Sequence, residues 1–134
     1  MKTIFFAWGF LFCSMISCAQ EQTSSNPKVQ QEIVFKNSIY QLFPTENYWT
    51  FIKLDTRNGK MWQVHFTIEE DGVDGELILN SIPLIDKEKE VNGRFTLYPT
   101  KNMYNFLLLD QIDGNVYQVQ WSTEEKYRGV VPIY

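Results

Sequence analysis

Four groups of side chains in this sequence have the types and spacing to do chemistry. His65 is the only histidine. It stands near Thr67 and Glu69 and could act as a general base toward a hydroxyl or beside an acid. Glu69-Glu70-Asp71 and Glu124-Glu125 place acids side by side, as a two-carboxylate glycoside hydrolase site requires. Asp55 and Asp110 each stand four residues before a glycine, Gly59 and Gly114, which suggests a calcium loop. The last group is neutral: Gln63, His65 and Thr67 in one segment are answered by Gln118, Gln120 and Ser122 in another. Such a row of hydrogen-bond donors and acceptors suits contact with a protein or a glycan.

Each group also has a plainer reading. The counterpart of His65 is Gln120, so the second segment does without an imidazole. Neighbouring residues on a strand point to opposite faces, so Glu69 and Glu70 are no pair unless the fold brings Glu69 toward Glu124. A calcium loop needs oxygen ligands at alternate positions, and these hold Arg57 and Ile112. The aspartates then cap turns through their own backbone while glycine supplies a positive φ. No catalytic residue, metal or cofactor is therefore assigned. The candidate binding face is Gln63, His65, Thr67, Gln118, Gln120 and Ser122.

These residues recur because the chain repeats itself. Residues 40–51, YQLFPTENYWTF, return as 95–106, FTLYPTKNMYNF. Aligned without a gap, residues 40–70 and 95–125 share 12 of 31 positions, the mark of an internal duplication. SIPL (81–84) also matches VVPI (130–133) after an insertion. Within each copy YWTFIKLD (48–55) and MYNFLLLD (103–110) read as strands rich in aromatic and branched residues. DTRNG and DQIDG end in Asn-Gly and Asp-Gly, a hairpin signal. The returning strands alternate: Trp62, Val64 and Phe66, with Tyr117, Val119 and Trp121, should face the core, leaving the glutamine row to solvent. A fourth strand, ELILNSIPL (76–84) or GVVPIY (129–134), closes each copy at an edge because of its proline. DKEKEVNG (86–93) is a charged connector with room for one helical turn.

The expectation is an all-β domain over 33–134, a tandem duplication of a four-stranded antiparallel unit with repeats at about 38–85 and 93–134. A β-sandwich or small barrel with pseudo-twofold symmetry fits this best. A propeller does not, since two blades cannot close a ring without other chains. Aromatic residues make up 16% of the sequence. The matched pairs Trp49/Tyr104, Trp62/Tyr117 and Phe66/Trp121 suit a carbohydrate or peptide platform, and equally a small β core.

Ahead of the domain, MKTIFFAWGFLFCSMISCAQ reads as an export signal: Lys2, an apolar run, then small residues. Met15-Ile16-Ser17-Cys18 resembles a bacterial lipobox, which makes 1–17 the signal peptide and Cys18 the lipid attachment site in the cell envelope. Ser17 and Ala19 also fit an ordinary cleavage that would release a soluble periplasmic or secreted chain. Residues 18–32, rich in Gln, Ser, Asn and Pro, form a flexible tether reaching about 20 Å. Both cysteines, Cys13 and Cys18, precede the domain, which therefore holds no disulfide and no thiolate nucleophile. Without the leader, 11 basic residues (12 less Lys2) face 16 acidic ones, a net −5. That balance argues against nucleic acid and against charge-driven membrane binding, leaving the N-terminal lipid as the membrane contact.

The phrases LDTRNGKMWQV and LDQIDGNVYQV resemble a D-x-x-x-G-x-x-W/Y hairpin repeat of short exported lipoproteins of Bacteroidota-type bacteria, over most of residues 40–134. The resemblance implies a hairpin and no activity. The sequence thus points to a non-enzymatic envelope lipoprotein that binds a protein or glycan partner. The alternatives are an immunity or inhibitor protein against an envelope-acting toxin and a small periplasmic hydrolase.

Overall fold

The computed structural model describes residues 37–134, except Val73. The leader, Cys18, the tether and residues 33–36 lie outside the described residues. The chain is all-β, made of two similar four-stranded antiparallel sheets. Sheet 1 contains β1 (Tyr40–Pro44), β2 (Thr50–Asp55), β3 (Met61–His65) and β4 (Gly75–Asn80), in that order. Sheet 2 contains β5 (Phe95–Pro99), β6 (Asn105–Asp110), β7 (Val116–Gln120) and β8 (Gly129–Ile133), again in order. Register repeats with the sequence: Tyr40 pairs with Asp55 and Phe51 with Val64, as Phe95 pairs with Asp110 and Phe106 with Val119. The sheets pack as two layers and do not join into a barrel. The charged connector holds a single 3-10 turn, Lys87–Lys89.

The Asp-x-x-x-Gly turns are hairpins, though not the two-residue kind that Asn-Gly suggests. Gly59 has φ 79° and Gly114 φ 75°, while no residue other than glycine has a positive φ among the described residues. Asn58 and Asp113 therefore stay out of the left-handed region that a type I′ turn needs at both central positions. The loop is wider: Gly59 N donates to Asp55 O at 3.0 Å and Asp55 N to Lys60 O at 2.9 Å. The Asp55 carboxylate accepts from Arg57 N, and that of Asp110 from Ile112 N, each at 3.0 Å. The aspartates cap the turns, as expected from their own-backbone chemistry.

The fourth strands correct the alignment of SIPL with VVPI. Strand β4 ends at Asn80, so 81–84 lie beyond it, whereas VVPI lies inside β8. A bulge between Met61 and Trp62 shifts the β3–β4 register by one residue, which a sequence alignment cannot see. Pro132 sits on edge strand β8, where its missing N–H is harmless.

The packing of the sheets overturns the expected alternation in the first copy. Sheet 1 buries Ile52, Leu54, Met61 and Leu79 together with Gln63, while sheet 2 buries Phe95, Leu97, Phe106, Leu108, Val119 and Trp121. Register places Gln63 opposite Ile52, and Val119 opposite Phe106. The buried residues of sheet 1 are thus counterparts of Leu107, Leu109, Val116 and Gln118, which lie on the outer face of sheet 2. The two copies meet front to back, with non-equivalent faces in contact. Each fully buried Leu, Ile or Phe contributes about 1.5–3 kcal/mol.

One ion pair is enclosed in this packing. Arg94 Nη2 lies 2.7 Å from Asp110 Oδ2 and its Nε 3.0 Å from Oδ1, with both side chains almost wholly buried. Arg94 also contacts the Asp113 carboxylate and donates to Lys89 O at 3.1 Å. Burial alone would raise the Asp110 carboxyl, but the Arg94 guanidinium and the N–H groups of Ile112 and Asp113 outweigh it and hold the carboxyl below its usual range.

Candidate binding clefts

Both β1–β2 and β5–β6 loops are built by the same two identical side chains. Thr45 Oγ1 accepts from Asn47 N at 3.1 Å and donates to Thr50 O at 2.9 Å. Asn47 Oδ1 accepts from Trp49 N at 2.9 Å. In the second copy Thr100 Oγ1 accepts from Asn102 N at 3.1 Å, and Asn102 Oδ1 from Tyr104 N at 3.0 Å. These short-range bonds fix the backbone that presents Trp49 and Tyr104. Phe66 N then donates to Trp49 O at 3.1 Å and Trp121 N to Tyr104 O at 3.0 Å, which brings a second ring beside each first. The resulting pairs have ring centroids 5.4 Å apart for Trp49–Phe66 and 5.3 Å for Tyr104–Trp121.

A cleft opens at each ring pair. The larger, about 450 Å³, is lined by Tyr104, Trp121, Gln120, Ser122, Glu124 and Tyr127 among others. The smaller, about 240 Å³, is lined by Trp49, Phe66, His65, Thr67, Glu69 and Thr50 among others. Five of these residues in each cleft are repeat counterparts, and Asn47 borders both clefts. The clefts are therefore adjacent and share a wall.

The six candidate face residues separate. His65 and Thr67 line the smaller cleft, and Gln120 and Ser122 the larger. Gln63 and Gln118 join neither. Gln63 is completely buried between the sheets, where its Nε2 donates to Ser122 O at 2.9 Å, whereas Gln118 lies exposed on the outer face of sheet 2. A single solvent-facing glutamine row does not exist, because only one copy turns that face to water.

His65 is partly buried, with Nδ1 3.1 Å from Thr50 Oγ1 and Nε2 without a hydrogen-bond partner among the described residues. Burial, and then the nearby Arg128 charge, push its pKa below the usual histidine value. Thr50 is itself buried, at the floor of the smaller cleft beneath His65. The hydroxyls of Thr67 and Ser122 each accept from the backbone N–H two residues on, that of Glu69 or Glu124, at 3.1 Å. Glu69 and Glu124 line separate clefts, and Glu124 is 3.1 Å from Lys126. Among the described residues no three His, Cys, Asp or Glu side chains gather as a metal site.

The sequence reading missed Asn47 and the loops that set the rings. The available signal was Thr-x-Asn, identical in both copies after Pro44 and Pro99. No protein-family model, curated protein or solved structure matches this chain.

Proposed function

We propose that this chain is a non-enzymatic lipoprotein of the cell envelope whose β domain binds a glycan along its two neighbouring clefts. The observation that carries this reading is the repetition of one cleft chemistry beside itself, an aromatic pair with neutral hydrogen-bonding groups and one carboxylate, with Asn47 shared. A ligand made of like units in a row fits two like subsites in a row. Sugar rings offer apolar faces to Trp49 and Tyr104 and hydroxyls to Gln120, His65 and Asn47. The apolar leader, the lipobox-like Cys18 and the polar tether support an address at the membrane, with the domain free to reach the surrounding polymer.

The test is titration of the full chain, in detergent, with oligosaccharides released from the envelope of its own cells, followed by tryptophan fluorescence and calorimetry. Trp49→Ala and Tyr104→Ala should each weaken binding by about tenfold, near 1.4 kcal/mol, and the double variant should abolish it. No oligosaccharide bound, or binding that survives the double variant, dismisses the glycan reading. A single envelope protein retained by the chain and lost with the same variants would instead assign the clefts to a protein partner, with inhibition of that protein then tested directly.

A further inference from the structure

The two sheets have four faces, and the described residues use two. The face of sheet 1 with Ile52, Leu54 and Gln63 packs on the face of sheet 2 with Leu97, Leu108 and Trp121. Through the repeat register, each used face is the counterpart of an unused one. Leu107, Leu109 and Gln118 on the outer side of sheet 2 stand where Ile52, Leu54 and Gln63 stand. Tyr40, Leu42 and Phe51 on the outer side of sheet 1 stand where Phe95, Leu97 and Phe106 stand. A duplication joined through equivalent faces would leave two like faces free; this one leaves a complementary pair.

Both free faces are apolar. Tyr40 and Leu42 are 53% and 59% exposed, while their counterparts Phe95 and Leu97 are 1% and 4% exposed. Leu107 is 37% exposed where Ile52 is 0%. An antiparallel sheet turned to water alternates to polar residues on that side, and contiguous apolar surface marks an interaction site.

The geometry points to front-to-back self-association, in which the outer face of sheet 2 in one copy packs on the outer face of sheet 1 in the next. The contact between chains repeats the contact within the chain, with the Gln118 amide donating to the Thr67 carbonyl of the neighbour as Gln63 donates to Ser122. A second copy is the occupant because it alone brings the complement that the chain already uses against itself. The contact is heterologous, so it closes a ring if the rotation per step divides the circle and otherwise grows a filament. A charged pair departs from the template: Lys53 stands where Leu108 is buried, and Glu76, opposite Val64, stands where Val130 lies opposite Val119. The two are 2.6 Å apart, with Lys53 4.8 Å from the Trp62 ring centre. Enclosing that pair opposes association and makes the contact between chains weaker than the one within. This inference is independent of the glycan reading.

Sedimentation of the full chain in detergent tests it. The wild type should gain mass with concentration, to a fixed value for a ring or without limit for a filament. Leu42→Asp damages only the free face of sheet 1, and Leu107→Asp only that of sheet 2. Each variant alone should be monomeric, and a mixture of the two should double in mass and go no further, since each keeps the face the other has lost. Lys53→Leu should move assembly to lower concentration. Both aspartate positions are exposed, and unchanged thermal unfolding confirms that the fold survives. A wild type that stays monomeric at every concentration, single variants that still assemble, an inert mixture or an inert Lys53→Leu would each overturn the proposal.

Discussion

Gln63 Nε2 donates to the Ser122 carbonyl across the two sheets at 2.9 Å, and this bond distinguishes Gln63 from Gln118, its repeat counterpart. The same side chain at the same register is wholly buried in one copy and exposed in the other. Gln63→Ala leaves a gap and a carbonyl without its donor, and should cost about 1–3 kcal/mol. Gln118→Ala removes an exposed amide and should stay within about 0.5 kcal/mol. Urea unfolding of both variants at low protein concentration compares them, and equal losses would mean that the two copies are not packed front to back.

Arg94 and Asp110 make an ion pair that water barely reaches. Arg94→Met leaves the Asp110 carboxylate buried without its main partner, and should destabilise the fold by about 3–5 kcal/mol. The corresponding aspartate in the first copy, Asp55, is paired with Arg57 at 2.8 Å, and the Arg57 side chain is about one-third exposed. Solvent screens that pair from the Arg57 side, so Arg57→Met should cost less than Arg94→Met. Restoration of the Arg94→Met variant by Asp110→Asn would show that the stranded charge, and not lost packing, sets the cost.

The sequence made the two four-stranded antiparallel units and their central hairpins readable, because 12 identical positions in 31 report the same hairpins twice. It did not reveal which face of each copy turns inward. Both faces of sheet 1 are apolar enough to bury: Ile52, Leu54 and Met61 on one side, Phe51, Trp62 and Val64 on the other. Period-two alternation cannot choose between two such faces. Gln63 biased the choice the wrong way, since its burial depends on the Ser122 carbonyl 59 residues along the chain. The clefts were partly legible: four of the six candidate residues line them, and the rings that wall them had been paired by type. Asn47 carries no sign of the cleft in the sequence, because its side chain acts on its own loop, where Oδ1 accepts from Trp49 N two residues on.

Two glycines with one backbone shape should respond differently to the same change. Gly59 and Gly114 have φ 79° and 75°. A Cβ at Gly59 would lie 2.7 Å from Leu84 Cδ1, whereas at Gly114 nothing lies within 4 Å. Gly114→Ala should therefore cost only the left-handed strain, about 1–2 kcal/mol. Gly59→Ala adds displacement of Leu84, which packs against the core, and should cost more. A larger fall in melting temperature for Gly59→Ala checks the difference, and Leu84→Ala in the same chain should narrow it.

His65 makes stability depend on pH in a window separate from the carboxylates. Burial and the Arg128 charge depress its pKa in the fold below the unfolded value of 6.5. Between those two values the unfolded chain binds more protons, so unfolding free energy rises with pH. The stabilisation is fully present above the unfolded pKa and is lost as pH falls toward the folded one. The Asp55 and Asp110 carboxyls, also held below their usual 3.8, contribute stability that is lost only in more acidic solution. His65→Gln installs the residue of the second copy, Gln120, and removes the titrating group. Urea unfolding followed from about pH 8 to about pH 5, roughly one and a half units either side of an ordinary histidine, should slope for the wild type and flatten for the variant. A slope that persists in His65→Gln would place the proton uptake on another group.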